Sequence, residues 1–441
     1  MRHLLQIAAL SIGVCLSAGN LARGDDWPQW LGPGGDSVWR ESGIRSELPA
    51  ELPAKWRIAA GWGYAGPAVA QGKVFLADYL PKEDEIVNDA GARTEVEGVE
   101  RIRCLDAKTG KVAWTYQYDR PYRISYPGGP RCTPTVDGDR VYALGAEGDL
   151  VCLDASNGEL VWNKQFSVDY NAKSPHWGVS AHPLVDDKRV YCLVGGQGSA
   201  VVAFDKRTGQ ERWRTLDAED VGYSPASMLE REGGRQLLVW LPDGLYGLHP
   251  ATGAKEWFQP LRPNYSMSII APRRSGDLLF ASGMGHVGAT YRLGSQRDQV
   301  EPLWHGKAGR GVYCSNSTPI IADGIIYGCD AHSGALIACR LEDGEQLWQT
   351  FKPTTGDRNG GHGTAFLVQH EDRYFLFSET GDLIVAKLSP DGYDETSRVR
   401  LVEPTNEAFG RPVVWTHPAF ADRCVFVRND KEIACFDLSS P

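Results

Sequence analysis

A twelve-residue pattern recurs along the chain and constrains the fold more than any other feature of the sequence. In the copy at residues 151–162, the alternating apolar residues Val151 and Leu153 predict a strand with one buried face. Asp154 and Gly158 predict a turn, because an Asp side chain bonds nearby backbone amides and Gly tolerates positive φ. Each copy is therefore expected to form a β-hairpin with a Trp on its second strand. Further copies are RCLDAKTGKVAW, VAFDKRTGQERW, YGLHPATGAKEW and ACRLEDGEQLW, with a weaker copy ending at Trp304 and a degraded one at residues 388–392.

The spacing of these turns predicts the size of the repeating unit. Successive turn positions are separated by 44 to 51 residues, which suits four short strands per repeat, as in a propeller blade. A second hairpin precedes each turn, for example CTPTVDGDRVYALG, and supplies the first two strands. The sequence therefore predicts an all-β, eight-bladed propeller. The turn positions are Asp106, Asp154, Asp205, Pro250, Gly294, Glu342, Ser389 and Asp437.

The Trp at the end of each copy is expected to dock between neighbouring blades, since its large flat ring stabilises most when buried. The ends of the chain carry complementary fragments of a repeat. Residues 55–57 match the end of a repeat, and residues 419–438 match the beginning of one. Pairing of these fragments in one blade would close the ring and remove two exposed sheet edges. The expected docking residues are Trp56, Trp114, Trp162, Trp213, Trp257, Trp304 and Trp348.

The N-terminus is typical of an exported protein. Residues 1–24 combine a short basic start, an apolar run and small residues suited to cleavage between Gly19 and Gly24, which predicts a signal peptide. Val14 precedes Cys15 where lipoprotein processing needs a small residue, so a lipid anchor is not expected. Residues 25–53 are interpreted as an extended lead-in that packs on the outside, and residues 54–441 as the propeller. The predicted location is the periplasm or the cell envelope, in soluble form.

Charge and cysteine content limit the partners. Removal of residues 1–24 takes away two arginines and no acid, so the net charge changes from −10 to −12. A negative chain without a basic run is unsuited to nucleic acid, and no other apolar run is long enough to span a bilayer. Nine cysteines remain, and those at one position of the third strand are interpreted as small buried hydrophobes: Cys104, Cys152, Cys339 and Cys435. We expect a monomer whose partner is an envelope protein or a small polar ligand.

The repeated pattern ending in T-G-x-x-x-W resembles the tryptophan-docking motif of quinoprotein-type propellers, whose repeats are named after pyrroloquinoline quinone (PQQ). This superfamily includes PQQ-dependent alcohol dehydrogenases and BamB-like scaffolds of outer-membrane assembly. The segments DWPQWLGPGGDSVW and GGPRCTPTVDGDRVYALGAEGDLVCLDA resemble small exported PQQ-repeat proteins of planctomycete-type bacteria. The resemblance covers residues 25–441 and is specific for fold, not for activity.

For the enzymes, the resemblance implies a quinone stacked between a Trp and two adjacent bonded cysteines, with calcium held by Glu, Asn and Asp. This chain has no adjacent cysteines and is shorter than those enzymes. The sequence therefore favours a binding or scaffold protein without a cofactor. The alternative is a periplasmic PQQ-dependent oxidoreductase with bound calcium, and a third reading is a lyase or hydrolase that uses histidines.

Polar and aromatic residues gather in loops that are expected to open on one face of the ring, before the first strand or between the second and third strands of each blade. They would line a ligand funnel, or else be ordinary loop residues bonded to backbone. His332, His362 and His417 come from consecutive blades, with Asp330 and Arg411 nearby, and imidazoles that converge could hold a transition metal. The candidate residues are Arg131, His176, Trp177, His182, Tyr223, Tyr265, His286, Arg310, Tyr313, Asn316, Asp330, His332, His362, Arg411, Trp415 and His417.

Overall fold

The computed structural model describes residues 25–83 and 86–441, so the predicted signal peptide lies outside the described residues. Within them, eight four-stranded antiparallel sheets form the blades of a propeller, as the repeat predicted. In seven blades the strands follow one another in chain order from the inner strand to the outer one, and in blade 8 the outer strand comes from the N-terminal part of the chain. These described residues are almost entirely β, with one short helix at Phe166–Asp169 and one 3₁₀ turn at Asn264–Ser266.

The blades are numbered in chain order, and their strands are given from the inside outward. Blade 1 contains Ala68–Ala70, Lys73–Pro81, Gly98–Asp106 and Val112–Asp119, and blade 2 contains Thr135–Asp137, Arg140–Leu144, Asp149–Asp154 and Leu160–Gln165. Blade 3 contains Leu184–Val185, Arg189–Leu193, Val201–Asp205 and Glu211–Thr215, and blade 4 contains Ser227–Arg231, Gly234–Leu241, Gly244–Leu248 and Lys255–Pro260. Blade 5 contains Arg273–Ser275, Leu278–Gly283, Val287–Leu293 and Val300–His305, and blade 6 contains Ile320–Ala322, Ile325–Cys329, Leu336–Arg340 and Gln346–Thr350. Blade 7 contains Ala365–His370, Arg373–Ser378, Asp382–Ser389 and Gly392–Arg400, and blade 8 contains Ala419–Ala421, Cys424–Arg428, Glu432–Asp437 and Ala54–Ala59.

Two small ribbons lie outside the blades. Thr94–Val96, in the excursion between the second and third strands of blade 1, pairs with Tyr122–Ile124 after that blade. Asn406–Ala408 pairs with Arg411–Val413 between blades 7 and 8. Both ribbons belong to segments that lead to the same end of the ring, and they extend its wall.

Blade 8 joins the two ends of the chain. Ala54–Ala59 forms the outer strand of this blade and pairs antiparallel with Glu432–Asp437, so that Trp56 lies opposite Cys435. An ion pair of 2.7 Å between Arg57 and Glu432 lies on the same two strands. The N-terminal strand thereby covers the edge that the last strand of the chain would otherwise expose.

The repeated tryptophans connect each blade to the next. The indole N–H of Trp56, for example, donates to the carbonyl of Ala107 in blade 1, at 2.9 Å. Equivalent bonds of 2.8–3.1 Å run from five of the other six docking residues to the turn of the following blade. The residues with this bond are Trp56, Trp114, Trp162, Trp213, Trp304 and Trp348.

The glycine of the repeat is explained by the same contact. Gly158 has φ of +77°, and a β-carbon there would lie 2.6 Å from the Trp114 ring. Trp257 differs, because its N–H donates to Gln236 of its own blade at 2.8 Å. Trp348 is half-buried, whereas the other six docking tryptophans are buried.

The lead-in does not pack on the outside along its first half, and this corrects the expectation from sequence. Trp27 forms a backbone bridge with Val69 on the inner strand of blade 1, and Pro28 accepts from Val136 of blade 2. Further along, Arg273 of blade 5 donates to the carbonyls of Gly35 and Asp36. Residues 27–39 therefore cross the centre of the ring, and we call them the plug.

The plug ends against blade 7, where the Trp39 N–H donates to Gln369 at 2.8 Å. The chain then runs outward past blades 7 and 8. Ile44 bridges Ser439, and the Leu48 N–H donates to the Ser397 hydroxyl. The inner edge of each first strand has backbone groups that the blade itself does not pair, and the plug bonds to some of these groups.

All nine cysteines of the described residues are buried free thiols. Cys104, Cys152 and Cys435 occupy equivalent positions on the third strands, each opposite the docking Trp of its blade. Cys339 was expected at the same position but lies one residue further along, opposite Gln346. All four are fully buried, as expected of small hydrophobes.

No helix in the part of the chain that the structure describes is long and apolar enough to cross a membrane.

Candidate functional site

Loops from all eight blades enclose a cavity of about 890 Å³ at the end of the ring where the first strands begin. The plug closes this cavity toward the opposite end, since Trp30 is part of its lining. The lining is mostly aromatic and aliphatic, with imidazole, hydroxyl and amide groups between the rings. The lining residues are Trp30, Tyr64, Ala90, Gly91, Tyr126, Arg131, His176, Trp177, Ser180, His182, Tyr223, Pro225, Tyr265, Ser266, Met267, Ile269, Met284, Ser315, Asn316, His362, Phe409, Trp415 and His417.

The floor of the cavity consists of Trp30 and two histidines. The ring of His182 stacks on Trp30, with centroids 4.5 Å apart and planes inclined by 15°. His417 meets Trp30 edge-on at 5.5 Å and also contacts Phe366 at 4.2 Å. The Trp30 N–H has no hydrogen-bond partner among the described residues. Neither nitrogen of the His182 ring makes a hydrogen bond of normal geometry, although the nearby backbone of Ser180 acts to raise the pKa of this histidine.

Burial determines the charge of these histidines. Loss of hydration disfavours a charged imidazole, and it lowers the pKa of both His182 and His417 to about 3. Their proximity lowers the pKa of His417 further. The floor is therefore uncharged at neutral pH.

The wall toward blades 6 to 8 is held by a hydrogen-bond network around His362. The Nδ1 atom of His362 lies 2.9 Å from the Ser315 hydroxyl, and Asn316 donates to the His362 carbonyl at 3.3 Å. The imidazole stacks on Phe409 at 4.7 Å. Burial, followed by the charge of Arg411, lowers the pKa of His362 to about 4.

A buried carboxylate supports this wall from behind. Glu379 accepts from the Nε of Arg411 at 2.7 Å and from the indole N–H of Trp415 at 3.2 Å. The Thr364 backbone N–H donates to the same carboxylate at 3.0 Å. Glu379 therefore fixes the orientation of Trp415 without lining the cavity itself.

The wall toward blades 1 to 4 is organised by Arg131. Its guanidinium makes four hydrogen bonds to backbone carbonyls, those of Trp177, Gly129, Ser125 and Tyr126. An arginine has five N–H donors, so almost all of its capacity is used by the protein.

Aromatic rings continue this wall on either side of Arg131. The guanidinium lies over the Tyr64 ring at 5.0 Å. Trp177 meets Tyr223 edge-on at 5.7 Å, and the Nε2 atom of His176 donates at 3.2 Å to the Ala90 carbonyl of the blade 1 excursion. Since that carbonyl can only accept, the His176 nitrogen carries the proton.

The structure divides the residues that the sequence selected into two groups. Ten of them line the cavity: Arg131, His176, Trp177, His182, Tyr223, Tyr265, Asn316, His362, Trp415 and His417. Six do not: His286, Arg310, Tyr313, Asp330, His332 and Arg411.

Five of these six residues lie together between blades 5 and 6, whereas Arg411 is bonded to Glu379 behind the opposite wall. His286 stacks on His332 with centroids 4.1 Å apart, and Tyr313 meets His286 edge-on. The Tyr313 hydroxyl donates to backbone carbonyls, and Asp330 accepts from the Ser333 backbone and hydroxyl groups. These residues stabilise loops beside the cavity. Of the three histidines expected to point toward one mouth of the ring, His362 and His417 line the cavity, and His332 lies beside it in the stack with His286.

Several lining residues escaped the sequence analysis. Trp30 was assigned to an outer lead-in, and Tyr64 follows the closing strand, where no repeat motif marks it. Tyr126 and Phe409 have positive φ, of 50° and 51°. Tyr and Phe rarely adopt such a conformation, so the sequence does not predict it at these positions. The only signal in the sequence for a role of Glu379 at the cavity wall is its place in the loop between the second and third strands of blade 7.

The donors needed for metal binding are not assembled. Across residues 25–83 and 86–441, no three His, Cys, Asp or Glu side chains are placed to hold a metal ion. Calcium requires several oxygen ligands, usually with carboxylates among them, and the described lining contains no Asp or Glu. A tricarboxylate such as PQQ also needs cationic partners, and Arg131 is already bonded to backbone. The described residues therefore do not fit PQQ with calcium.

Comparison with known proteins identifies the fold and the family. A europium-containing methanol dehydrogenase superposes with a TM-score of 0.64 at 11% identity, covering 94% of this chain and 98% of the enzyme. A quinohemoprotein alcohol dehydrogenase from Comamonas testosteroni gives 0.59 at 11% identity, covering 94% and 81%. BamB from Moraxella catarrhalis gives 0.40 at 15% identity, covering 88% and 99%. No curated protein sequence matches the chain significantly.

The superpositions on the two dehydrogenases, at such low identity, bear on the fold alone. The sequence itself matches a family model. Residues 98–350, more than half of the chain, match the model described as outer membrane protein assembly factor BamB. The chain therefore belongs to this PQQ-repeat, BamB-like family of β-propellers.

Proposed function

We propose that this protein is an exported binding protein of the cell envelope that holds a small molecule in its plugged cavity. The observation that carries the proposal is the cavity itself: about 890 Å³, lined by loops of every blade and closed at one end by the chain's own N-terminal segment. Ligand sites of this volume are usually concave, mainly apolar and furnished with a few polar groups. Export rests on the sequence of residues 1–24.

An oxidoreductase using PQQ is the less favoured reading. The superposed dehydrogenases support it through fold alone. The cavity of this chain lacks carboxylates among its described lining residues, and its one guanidinium is committed to backbone carbonyls. We therefore propose binding without quinone chemistry.

A second candidate function is docking of an envelope protein at the open mouth. Two large aromatic side chains on its rim favour it, because Tyr265 is 75% exposed and Phe409 is 52% exposed. Exposed aromatic residues are frequent anchors in protein interfaces. A Tyr265→Ser variant that leaves small-molecule binding intact but abolishes co-purification of one defined envelope partner would establish this role.

Small-molecule binding is tested with N-phenyl-1-naphthylamine, a neutral probe that fluoresces in apolar surroundings. The full mature chain is expected to bind one equivalent with a Kd in the micromolar range. Ser180→Trp places an indole inside the cavity and should weaken binding at least tenfold. His332→Trp is the matched control, since His332 is exposed outside the cavity, and should bind as the wild type does.

Circular dichroism and thermal unfolding verify that both variants remain folded. Saturable binding that Ser180→Trp leaves unchanged would show that the probe sits elsewhere. Absence of binding at ~100 μM probe would contradict a small-molecule function for the cavity.

A further inference from the structure

We infer that the cavity selects uncharged aromatic ligands and excludes anions of the same size and shape, including PQQ. This inference rests on the proposed function, because it names the ligand class of that same site. It follows from the side chains that form the lining and from how each of them is already bonded.

The first step concerns negative charge in the ligand. An anion that leaves water must find ionic or hydrogen-bonding partners to replace its hydration. Among the described residues, Arg131 is the one cationic side chain in the lining, and four backbone carbonyls occupy its donors. Burial lowers the pKa of Arg131, and the nearby carboxylates of Glu147 and Glu100 act in the opposite direction by favouring its charged form. The positive charge of Arg131 is thus already compensated within the protein.

The second step concerns the histidines, which would be the remaining source of positive charge. His182 and His417 are packed against Trp30, and His362 lies between Ser315 and Phe409. Burial holds the pKa values of all three far below neutrality. None of these rings supplies a cation to a ligand at pH 7.

The third step concerns positive charge in the ligand. Aromatic walls can bind cations through their ring faces, and such sites gain from a nearby carboxylate. The described lining offers no Asp or Glu that could balance the charge of a cationic ligand. Cationic ligands are therefore disfavoured as well.

What the lining does offer is aromatic surface. Trp30, Trp177 and Trp415 stand in the floor and in both walls, with Tyr64, Tyr126, Tyr223, Tyr265 and Phe409 between them. Rings of this kind gain from stacked or edge-on contacts with another aromatic system. The unbonded amide oxygen of Asn316 and the Ser180 hydroxyl leave polar partners for a few neutral groups on the ligand.

The test compares two probes that share one ring system. N-phenyl-1-naphthylamine is neutral, and 1-anilinonaphthalene-8-sulfonate carries one added sulfonate. The wild-type chain at pH 7.5 is expected to bind the neutral probe at least tenfold more tightly. PQQ, with or without millimolar calcium, should not displace the neutral probe at concentrations up to ~100 μM.

A charge variant makes the reasoning specific to the lining. Asn316→Arg adds a guanidinium whose donors are not engaged by backbone, and should improve binding of the sulfonate probe at least tenfold. Asn316→Gln is the neutral control and should leave the ratio of the two affinities within threefold of the wild type. Thermal unfolding checks that both variants fold.

The outcomes are distinguishable. Equal affinity of the wild type for both probes, or displacement by PQQ, overturns the charge selectivity and leaves small-molecule binding in place. An Asn316→Arg variant with unchanged preference also overturns it. Failure of the neutral probe to bind overturns the proposed function and this inference together.

Discussion

Acidification should destabilise the protein through the two histidines of the cavity floor. His182 and His417 have pKa values of about 3 in the folded chain, whereas an unfolded histidine titrates near 6.5. Below pH 6.5 the unfolded chain therefore binds protons that the folded chain does not bind. By proton linkage, stability must decrease as the pH falls from about 6.5 toward about 3.

The magnitude follows from the size of the pKa shift. One pH unit corresponds to about 1.4 kcal/mol per group, so at pH 5.0 each neutral buried histidine costs about 2 kcal/mol. Asp149 and Asp430 act in the opposite direction. Burial raises their pKa values to about 6, so they take up protons in the folded chain first, and this stabilises the fold as the pH falls. That contribution is common to all variants that retain these residues, so it cancels when variants are compared.

The assay is urea unfolding at pH 7.5 and pH 5.0. We expect His182→Phe and His417→Phe each to reduce the loss of unfolding free energy between the two pH values by about 2 kcal/mol. His305→Phe is the control, because His305 is exposed on the outer strand of blade 5, and it should keep the loss of the wild type. A loss that stays within about 0.5 kcal/mol of the wild type in both floor variants would refute the reasoning, since these rings would then be charged in the folded chain.

Two further predictions concern the ring itself. Trp162→Ala should lower the free energy of unfolding by about 3–5 kcal/mol in chemical denaturation, because it removes a buried indole and its bond to the Lys206 carbonyl. A decrease below ~1 kcal/mol would show that this tryptophan does not act as a wedge between blades. Trp348→Ala, at a half-buried position, should have a smaller effect. Deletion of residues 54–60 should lower the thermal stability of the whole ring, because it exposes the edge formed by Glu432–Asp437, and an unchanged melting temperature would contradict closure through this strand.

The fold was readable from sequence because its signal is repeated. Each copy of the pattern places an Asp, a Gly and a Trp at fixed offsets, and these residues have local reasons to be there: a turn, a positive φ beneath an indole, and a bond to the next blade. Agreement among seven or eight copies averages out the ambiguity of any single one.

For the site, the sequence predicted only the face of the ring on which it lies. Loops before the first strands were predicted to converge, and ten of the selected residues do line one cavity. Which side chains enter that cavity depends on loop conformation, which no period encodes. His286 and His332 satisfied the positional rule, yet they stack on each other beside the cavity.

The position of the plug could not be predicted from the sequence. Residues 27–39 carry no repeat, and their composition of Trp, Pro and Gly suits an outer segment as well as an inner one. Only the free inner edges of blades 1, 2 and 7, together with Arg273 of blade 5, decide where this segment lies. Those edges exist only after the ring has formed.

The pairing of Ala54–Ala59 with Glu432–Asp437 has a consequence for the order of events in synthesis and folding. Ala54–Ala59 is made long before its partner strand, so blade 8 cannot form until Glu432–Asp437 has also been made. Contacts this distant in sequence form slowly, because nearly the full length of the chain must be brought into a loop. Until then blade 1 lacks the Trp56 contact on one side and the plug lacks the ring around it. A nascent chain of this design therefore keeps its ring open until residues 432–437 have been made, and the two edges of blade 8 stay free for all of that time.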